Sequence, residues 1–258
     1  MPLRETFDEA PELYDRVRPG YPDELFDDLA ALAGLTEGSR VLELGCGTGQ
    51  ATVSLARRGY EVVAVELGAG LAGFARRRLA DFPGVRVVNA AFEAWPLPAA
   101  PFDVVLAATS FHWLDPAVRV GKSADALRPG GALAVVSTHH VAGGDERFFA
   151  DTQRCYERWD PATPAGVRLP AAADVPIEAE EMQTAGRFGA VTFRRYEHER
   201  TYSTREYRDL LLTYSGHRAM EPAARAGLLA CIARLMDERY GGRVAKRYMN
   251  QLAVARKR

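Results

Sequence analysis

The chain has 258 residues, 47% hydrophobic and 26% charged, with 33 Lys and Arg against 34 Asp and Glu for a net charge of -1. That is the composition of an ordinary globular protein able to fill a core, at a length that suits one large domain, and it excludes disorder as the overall state. Near-neutrality removes the basic footprint expected on nucleic acid, and no stretch approaches the ~20 apolar residues of a membrane span.

In chain order, Met1 to Asp8 lacks the apolar core of an export leader, and Pro22 to Leu35 reads as an amphipathic helix closed by Gly34. From Arg40 onward, short apolar runs alternate with amphipathic stretches, the sequence form of repeated βα units and a mostly parallel sheet. Strands are expected at Arg40 to Leu44, Glu61 to Glu66, Val85 to Asn89, Phe102 to Ala107 and Gly131 to Ser137. They barely alternate, as strands covered on both faces do. Helices are expected at Gln50 to Arg58, Gly70 to Asp81 and Pro116 to Leu127, the last with Asp115 as N-cap and Pro116 in its first turn. Val141 to Gly189 has no clear period and reads as an irregular or helical insertion. A sixth strand at Val191 to Tyr202 follows, then helices over Thr204 to Thr213 and Pro222 to Tyr240, and a seventh strand at Arg247 to Val254. Cys46, Cys155 and Cys231 are widely spaced without a C-x-x-C, which supports neither a disulfide framework nor a zinc site and fits a reducing cytoplasm.

The most informative stretch is Val41-Leu42-Glu43-Leu44-Gly45-Cys46-Gly47-Thr48-Gly49-Gln50, a strand entering a glycine-rich turn and then a helix. Gly45, Gly47 and Gly49 let the backbone turn sharply and approach a ligand, while the helix N-terminus behind them offers free N–H groups to an anion. A dinucleotide fingerprint needs glycine where this chain has Gln50. Glu66 ends the second strand, where an acidic side chain can accept from both hydroxyls of a ribose. Glu43, close to the glycines, would repel a diphosphate and attract a cationic ligand. A ribose, an anionic group and a cationic group together describe S-adenosylmethionine.

These residues, with Phe92-Glu93-Ala94-Trp95-Pro96, Phe102-Asp103-Val104-Val105, Phe111-His112-Trp113-Leu114-Asp115 and Leu127-Arg128-Pro129-Gly130-Gly131, resemble the ordered motifs of class I S-adenosylmethionine-dependent methyltransferases over about residues 10 to 140. Tyr14 to Pro22, the F-H-W-L-D run and the Met236 to Arg256 ending are similar to the trans-aconitate-methyltransferase-like branch. The resemblance implies an α/β fold with a Rossmann-like, seven-stranded, mostly parallel sheet whose last strand is antiparallel, helices on both faces and a small helical cap. It implies one methyltransferase domain over 1-258: a lid at 1-37, a cofactor core at 38-140, a substrate cap from 141-190 and 203-243, and last strands at 191-202 and 246-256. It also implies a cofactor set of Tyr14, Arg18, Tyr21, Glu43, Gly45, Gly47, Thr48, Gly49, Glu66, Leu67, Ala91, Phe92, Glu93, Thr109, His112 and Trp113. Ala91 stands where the family often has an acid for adenine, and Phe92 or Glu93 would take over that contact.

His112 and His140 follow strands at the edge where ligands of open α/β sheets bind, and they join His217 as candidate catalytic bases. His140, Arg168, Tyr214, His217 and Arg218 are the candidate substrate residues, an Arg being suited to orienting a carboxylate. Gly121-Lys122-Ser123 resembles the tail of a phosphate loop but has no strand before it, and no metal site is expected. The reading is methyl transfer to a small molecule, on a carboxylate or hydroxyl oxygen, by a cytoplasmic monomer or homodimer without nucleic-acid or membrane partners. N- or C-methylation of a secondary metabolite, a nicotinamide oxidoreductase and a non-catalytic cofactor-binding protein are the alternatives.

Overall fold

The apolar runs of the first half become strands where their spacing predicts them. The structure is a computed structural model that describes residues 11–258 apart from Pro161, Ala162, Ala165 and Glu178. The elements in order are α1 (Pro11–Val17), α2 (Asp23–Ala33), β1 (Arg40–Leu44), α3 (Gln50–Arg57), β2 (Glu61–Glu66), α4 (Ala69–Arg78), β3 (Val85–Asn89), β4 (Phe102–Ala108), α5 (Arg119–Ala126), β5 (Leu127–Gly144), α6 (Glu146–Trp159), α7 (Glu180–Thr184), β6 (Phe188–Ser203), α8 (Thr204–Leu211), α9 (Ser215–Ala219), α10 (Pro222–Arg239) and β7 (Arg243–Lys257). The seven-stranded sheet has the order β3-β2-β1-β4-β5-β7-β6, with β1 to β5 paired in parallel and antiparallel pairing at the last strands.

The chain divides into two compact units. A sheet unit comprises Gly20–Thr138, Ile177–Tyr196 and Asn250–Arg258; a helical unit comprises the stretch up to Pro19, His139–Pro176 and Glu197–Met249. In the sheet unit, successive strand residues serve opposite faces. Val41, Val62, Val104 and Leu106 join one core with Leu25, Phe26 and Leu29 of α2, Leu55 of α3 and Ala75 of α4. Leu42, Leu44, Val105 and Ala107 join another with Ala124 of α5, Met182 of α7 and Phe188. Strands buried on both sides account for the near-continuous apolar runs.

The helical unit has its own core, in which Phe148 and Phe149 of α6, Tyr207, Leu210 and Leu211 of α8, and Leu228, Ile232 and Met236 of α10 enclose Tyr202 and Tyr248. Tyr202 Oη and Tyr248 Oη are hydrogen-bonded at 2.9 Å, and Arg200 donates to the carbonyls of Arg16 and Arg18, fixing the end of α1.

Three expectations are corrected. Cys155 of α6 and Cys231 of α10 form a disulfide across a separation of 76 residues, because packing of the two helices brings their Cα atoms to 5.8 Å. Spacing along the chain could not reveal that, and only Cys46 is a free cysteine among the described residues. Helix α5 begins at Arg119, after a turn in which Val118 N donates to the Asp115 carbonyl, so Pro116 lies outside the helix and Asp115 instead accepts from Ala117 N. Strand β5 starts at Leu127 rather than at Gly131: Leu127 pairs with Phe102 and Ala132 with Val104, so Arg128 to Gly131 bulge out of the ladder.

Candidate functional site

The glycine loop lies between β1 and α3 at the carboxyl end of the sheet, where Gly45 N donates to the Val65 carbonyl at 2.8 Å. Gly45, Gly47 and Gly49 have φ of 68°, 57° and 86°, a region that costs other residues about 1 kcal/mol or more. A Cβ on Gly45 would meet Ser110 Cβ at 2.7 Å, and Ser110 Oγ, just past the end of neighbouring β4, donates to the Leu44 carbonyl. Helix α3 begins without a side-chain cap at Gly49. Just before it, Thr48 is fully buried and its Oγ1 lacks a hydrogen-bond partner. Burial, reinforced by Glu43 and Glu66, raises the Cys46 pKa, so this thiol is held in its protonated, inert form.

The acidic pair is bound into the loop. Glu66, at the end of β2, accepts from Gly47 N through Oε2 at 2.8 Å and from Gly68 N through Oε1 at 2.9 Å. Asn89, one strand over, donates to the Glu66 and Leu67 carbonyls at 3.0 and 2.8 Å and so fixes the corner that carries the carboxylate. Glu43 is 1% exposed and accepts from Thr52 Oγ1 at 2.7 Å. Burial raises its pKa to about 7; the Thr52 hydrogen bond opposes the rise and neighbouring Glu66 adds to it.

The ends of β3 and β4 supply the rest. Phe92 and Trp95 are buried, Ala91 is half-buried, and the Ala91 carbonyl accepts from Ala94 N and Trp95 N in a tight turn. Glu93 accepts from Asp115 N through Oε1, while Lys122 donates to the Glu93 and Trp95 carbonyls. The lysine of the apparent phosphate-loop tail therefore secures this turn. Thr109 at φ 58° is the one non-glycine residue with positive φ among the described residues, a backbone strain typical of binding edges. Its hydroxyl joins a chain of hydrogen bonds from Tyr21 through Thr109 and Thr138 to Asn250. His112 is exposed, meets Trp113 in a tilted ring contact at 4.8 Å, and lines a cavity of about 380 Å³ with Phe111, Arg119 and Met182.

The remaining candidates lie in the helical unit. Arg18 donates to Thr213 Oγ1 and to its carbonyl, and its guanidinium lies over Tyr14 at 5.0 Å and Tyr214 at 4.6 Å. His140, Arg168 and Tyr214 line a cavity of about 680 Å³. His217 is hydrogen-bonded to Tyr156 at 2.9 Å, and Arg218 donates to the Leu212 carbonyl. Burial, with Lys246 adding to it, pushes the His140 pKa down to about 3; burial pushes that of His217 to about 4 despite Asp160. Both rings are thus neutral near pH 7 and weak as bases. His112 belongs to the sheet unit, and His140 and His217 to the helical unit. Sequence reasoning missed Asn89, Ser110, Lys122 and Lys246. Only Lys246 left a signal, an interior lysine two residues from buried Val244 on one side and buried Tyr248 on the other, on one strand face.

A ligand of adenosine type with an amino-acid tail requires a loop free of Cβ atoms, acceptors for ribose hydroxyls and free N–H groups for a carboxylate. Gly45 supplies the first. Glu66 is a carboxylate held at the end of β2 beside that loop, an acceptor of the kind ribose hydroxyls need. The uncapped start of α3 and the unpartnered Thr48 hydroxyl supply polar groups beside it. The residues present fit S-adenosylmethionine.

Comparison with known proteins points to a family. Residues 41–131 match the family model described as a methyltransferase domain. An uncharacterized methyltransferase of Mycobacterium tuberculosis is 39% identical over 131 residues, 51% of each chain, and a trans-aconitate 2-methyltransferase of Azoarcus is 34% identical over 149 residues, 57% of each. The chain thus spans about half the length of the curated relatives it matches. Among solved structures, a protein of Anaeromyxobacter dehalogenans proposed to be a type II methyltransferase superposes with a TM-score of 0.65 at 26% identity, covering 93% of this chain and 97% of that one.

Proposed function

From the premise that residues 41–131 are a methyltransferase domain of the class I S-adenosylmethionine-dependent kind, we propose that the chain methylates a small molecule on a carboxylate or hydroxyl oxygen. The observation that carries the cofactor half of this reading is Glu66, whose carboxylate is clamped between Gly47 N and Gly68 N beside a loop whose positive φ angles glycine adopts at least cost. When bound, S-adenosylmethionine supplies an electrophilic methyl on a sulfonium. The chain's part is to hold donor and acceptor in line at about 3 Å and to keep water out. Gly45 leaves the space, Glu66 and the start of α3 bind and orient, and Asn89 and Lys122 keep the two strand-end turns in place.

The two histidines of the helical unit bear on the acceptor's chemistry. His140 and His217, with pKa values near 3 and 4, are poorly matched to removing a proton near neutrality. A carboxylate acceptor is already ionised and needs no base, which supports O-methylation of an acid. The test is equilibrium binding of S-adenosylmethionine and S-adenosylhomocysteine to the wild type, Gly47→Arg and Glu66→Ala, with NAD as comparison. Micromolar binding lost in both variants, and none for NAD, is expected; retained binding in both would sink the assignment.

A further inference from the structure

Lys246, on the part of β7 within the helical unit, is 4% exposed. Its Nζ donates to Tyr214 Oη at 3.0 Å and lies 5.3 and 5.0 Å from the ring centroids of Tyr214 and Tyr248. Among the described residues no carboxylate pairs with it, and two of its three N–H donors have no hydrogen-bond partner. A cation taken out of water in this way is costly unless a counter-charge accompanies it. Lys246 lines the 680 Å³ cavity, a volume that suits a small organic ligand. So does His140, whose Nε2 is buried without a partner. Exposed Arg147 and Arg168 border the same cavity, against Glu146 as its one lining carboxylate among the described residues. Phe149, Tyr156, Tyr207 and Leu211 form apolar and aromatic walls, and Thr152, Gln153 and Thr163 add neutral polar groups.

We propose that this cavity binds a small organic monoanion, its single anionic group on Lys246 and Tyr214 and its apolar or aromatic body against Phe149, Tyr207 and Leu211. One buried cation matches one buried anionic group. The further cations, Arg147 and Arg168, are exposed, so a second or third carboxylate gains only solvent-screened pairing there and is desolvated where it meets rings and aliphatic carbons; a polyacid fits worse than a monoacid. Tyr214 is set for the role: burial acts to raise its pKa, yet Lys246 and Arg18 outweigh burial and lower it, which makes its hydroxyl a stronger donor to an anion. That the ligand is the methyl acceptor rests on the function proposed above; that the cavity binds a monoanion does not.

The test is calorimetric titration of the full chain, without S-adenosylmethionine, with benzoate, cinnamate, cyclohexanecarboxylate and octanoate, the corresponding neutral amides, and citrate. At least one monocarboxylate is expected to bind saturably, with its amide and citrate weaker by about tenfold or more. Lys246→Gln should lose about tenfold or more for that acid while keeping its affinity for S-adenosylmethionine. No saturable binding by any monocarboxylate, equal binding of acid and amide, or tighter binding of citrate would overturn the proposal. The acid and amide comparison needs only the wild type, so it decides even if Lys246→Gln fails to fold. Acid binding without S-adenosylmethionine binding would refute the transferase and leave this site standing; the reverse would refute the site alone.

Discussion

Glu43 offers a measurement in which one residue's burial is read as a slope. In the unfolded chain its carboxyl titrates near 4.5; in the fold, burial, together with Glu66 and against the Thr52 hydrogen bond, moves it to about 7. Below pH 4.5 both states carry the proton and Glu43 adds no pH dependence. Between 4.5 and 7 the folded state holds a proton that the unfolded state has released, so raising the pH favours unfolding; above 7 both are ionised and the dependence ends. The gap between 4.5 and 7, at about 1.4 kcal/mol per pH unit, comes to roughly 3 kcal/mol. Glu43→Gln keeps the shape and an acceptor for Thr52 but does not titrate. Urea unfolding of wild type and Glu43→Gln at pH steps from about 4 to 8 should therefore show the wild type losing about 3 kcal/mol relative to the variant, all of it between pH 4.5 and 7. A stability difference that stays constant over that range would refute the burial argument, whatever its absolute size.

Three further outcomes are expected. Because a cationic ligand beside Glu43 favours its ionised form, the preference for S-adenosylmethionine over neutral S-adenosylhomocysteine should narrow as the pH falls below about 7; equal affinity ratios at acidic and alkaline pH would remove Glu43 as counter-charge. Gly45→Ala places a Cβ 2.7 Å from Ser110 Cβ at positive φ and should cost about 2–4 kcal/mol in urea unfolding, a loss partly relieved in a Gly45→Ala, Ser110→Gly double variant; strict additivity would refute the contact as the cause. Closing a loop of 76 residues, the Cys155–Cys231 bridge should contribute about 4 kcal/mol in the chain-entropy account, seen as a lowered Tm on reduction or in Cys155→Ser; an unchanged Tm with both thiols proven free would count against it.

What the sequence made legible was local. The φ values at Gly45, Gly47 and Gly49 and the placement of Glu66 at a strand end depend on a few consecutive residues, and buried strands announce themselves as apolar runs. Helix α5 was misplaced at its start because Asp115 and Pro116, good first-turn residues, build a separate turn instead. The groups that went unseen act across the chain. Asn89 reaches Leu67 from a neighbouring strand, Lys122 reaches Trp95 from a helix, and Asn250 meets Thr138 over 112 positions. Lys246 and Tyr214 are 32 residues apart, on a strand and in a short link between helices. No period or motif encodes such pairs; only the packing of the elements brings them together.

The position of α1 bears on how the protein is made. Arg18, at its end, is held by Thr213, which follows it by 195 residues, and the carbonyls of Arg16 and Arg18 wait for Arg200. At a synthesis rate of about 5–20 residues per second, roughly 10–40 s pass before those partners exist. Through that interval Val17, fully buried in the finished fold, lacks the complete α8 face, Tyr207, Leu210 and Leu211, with which it shares a core. A helix of 7 residues is too short to persist alone, so this segment leaves the ribosome as coil and becomes a helix only when the far end of the chain arrives.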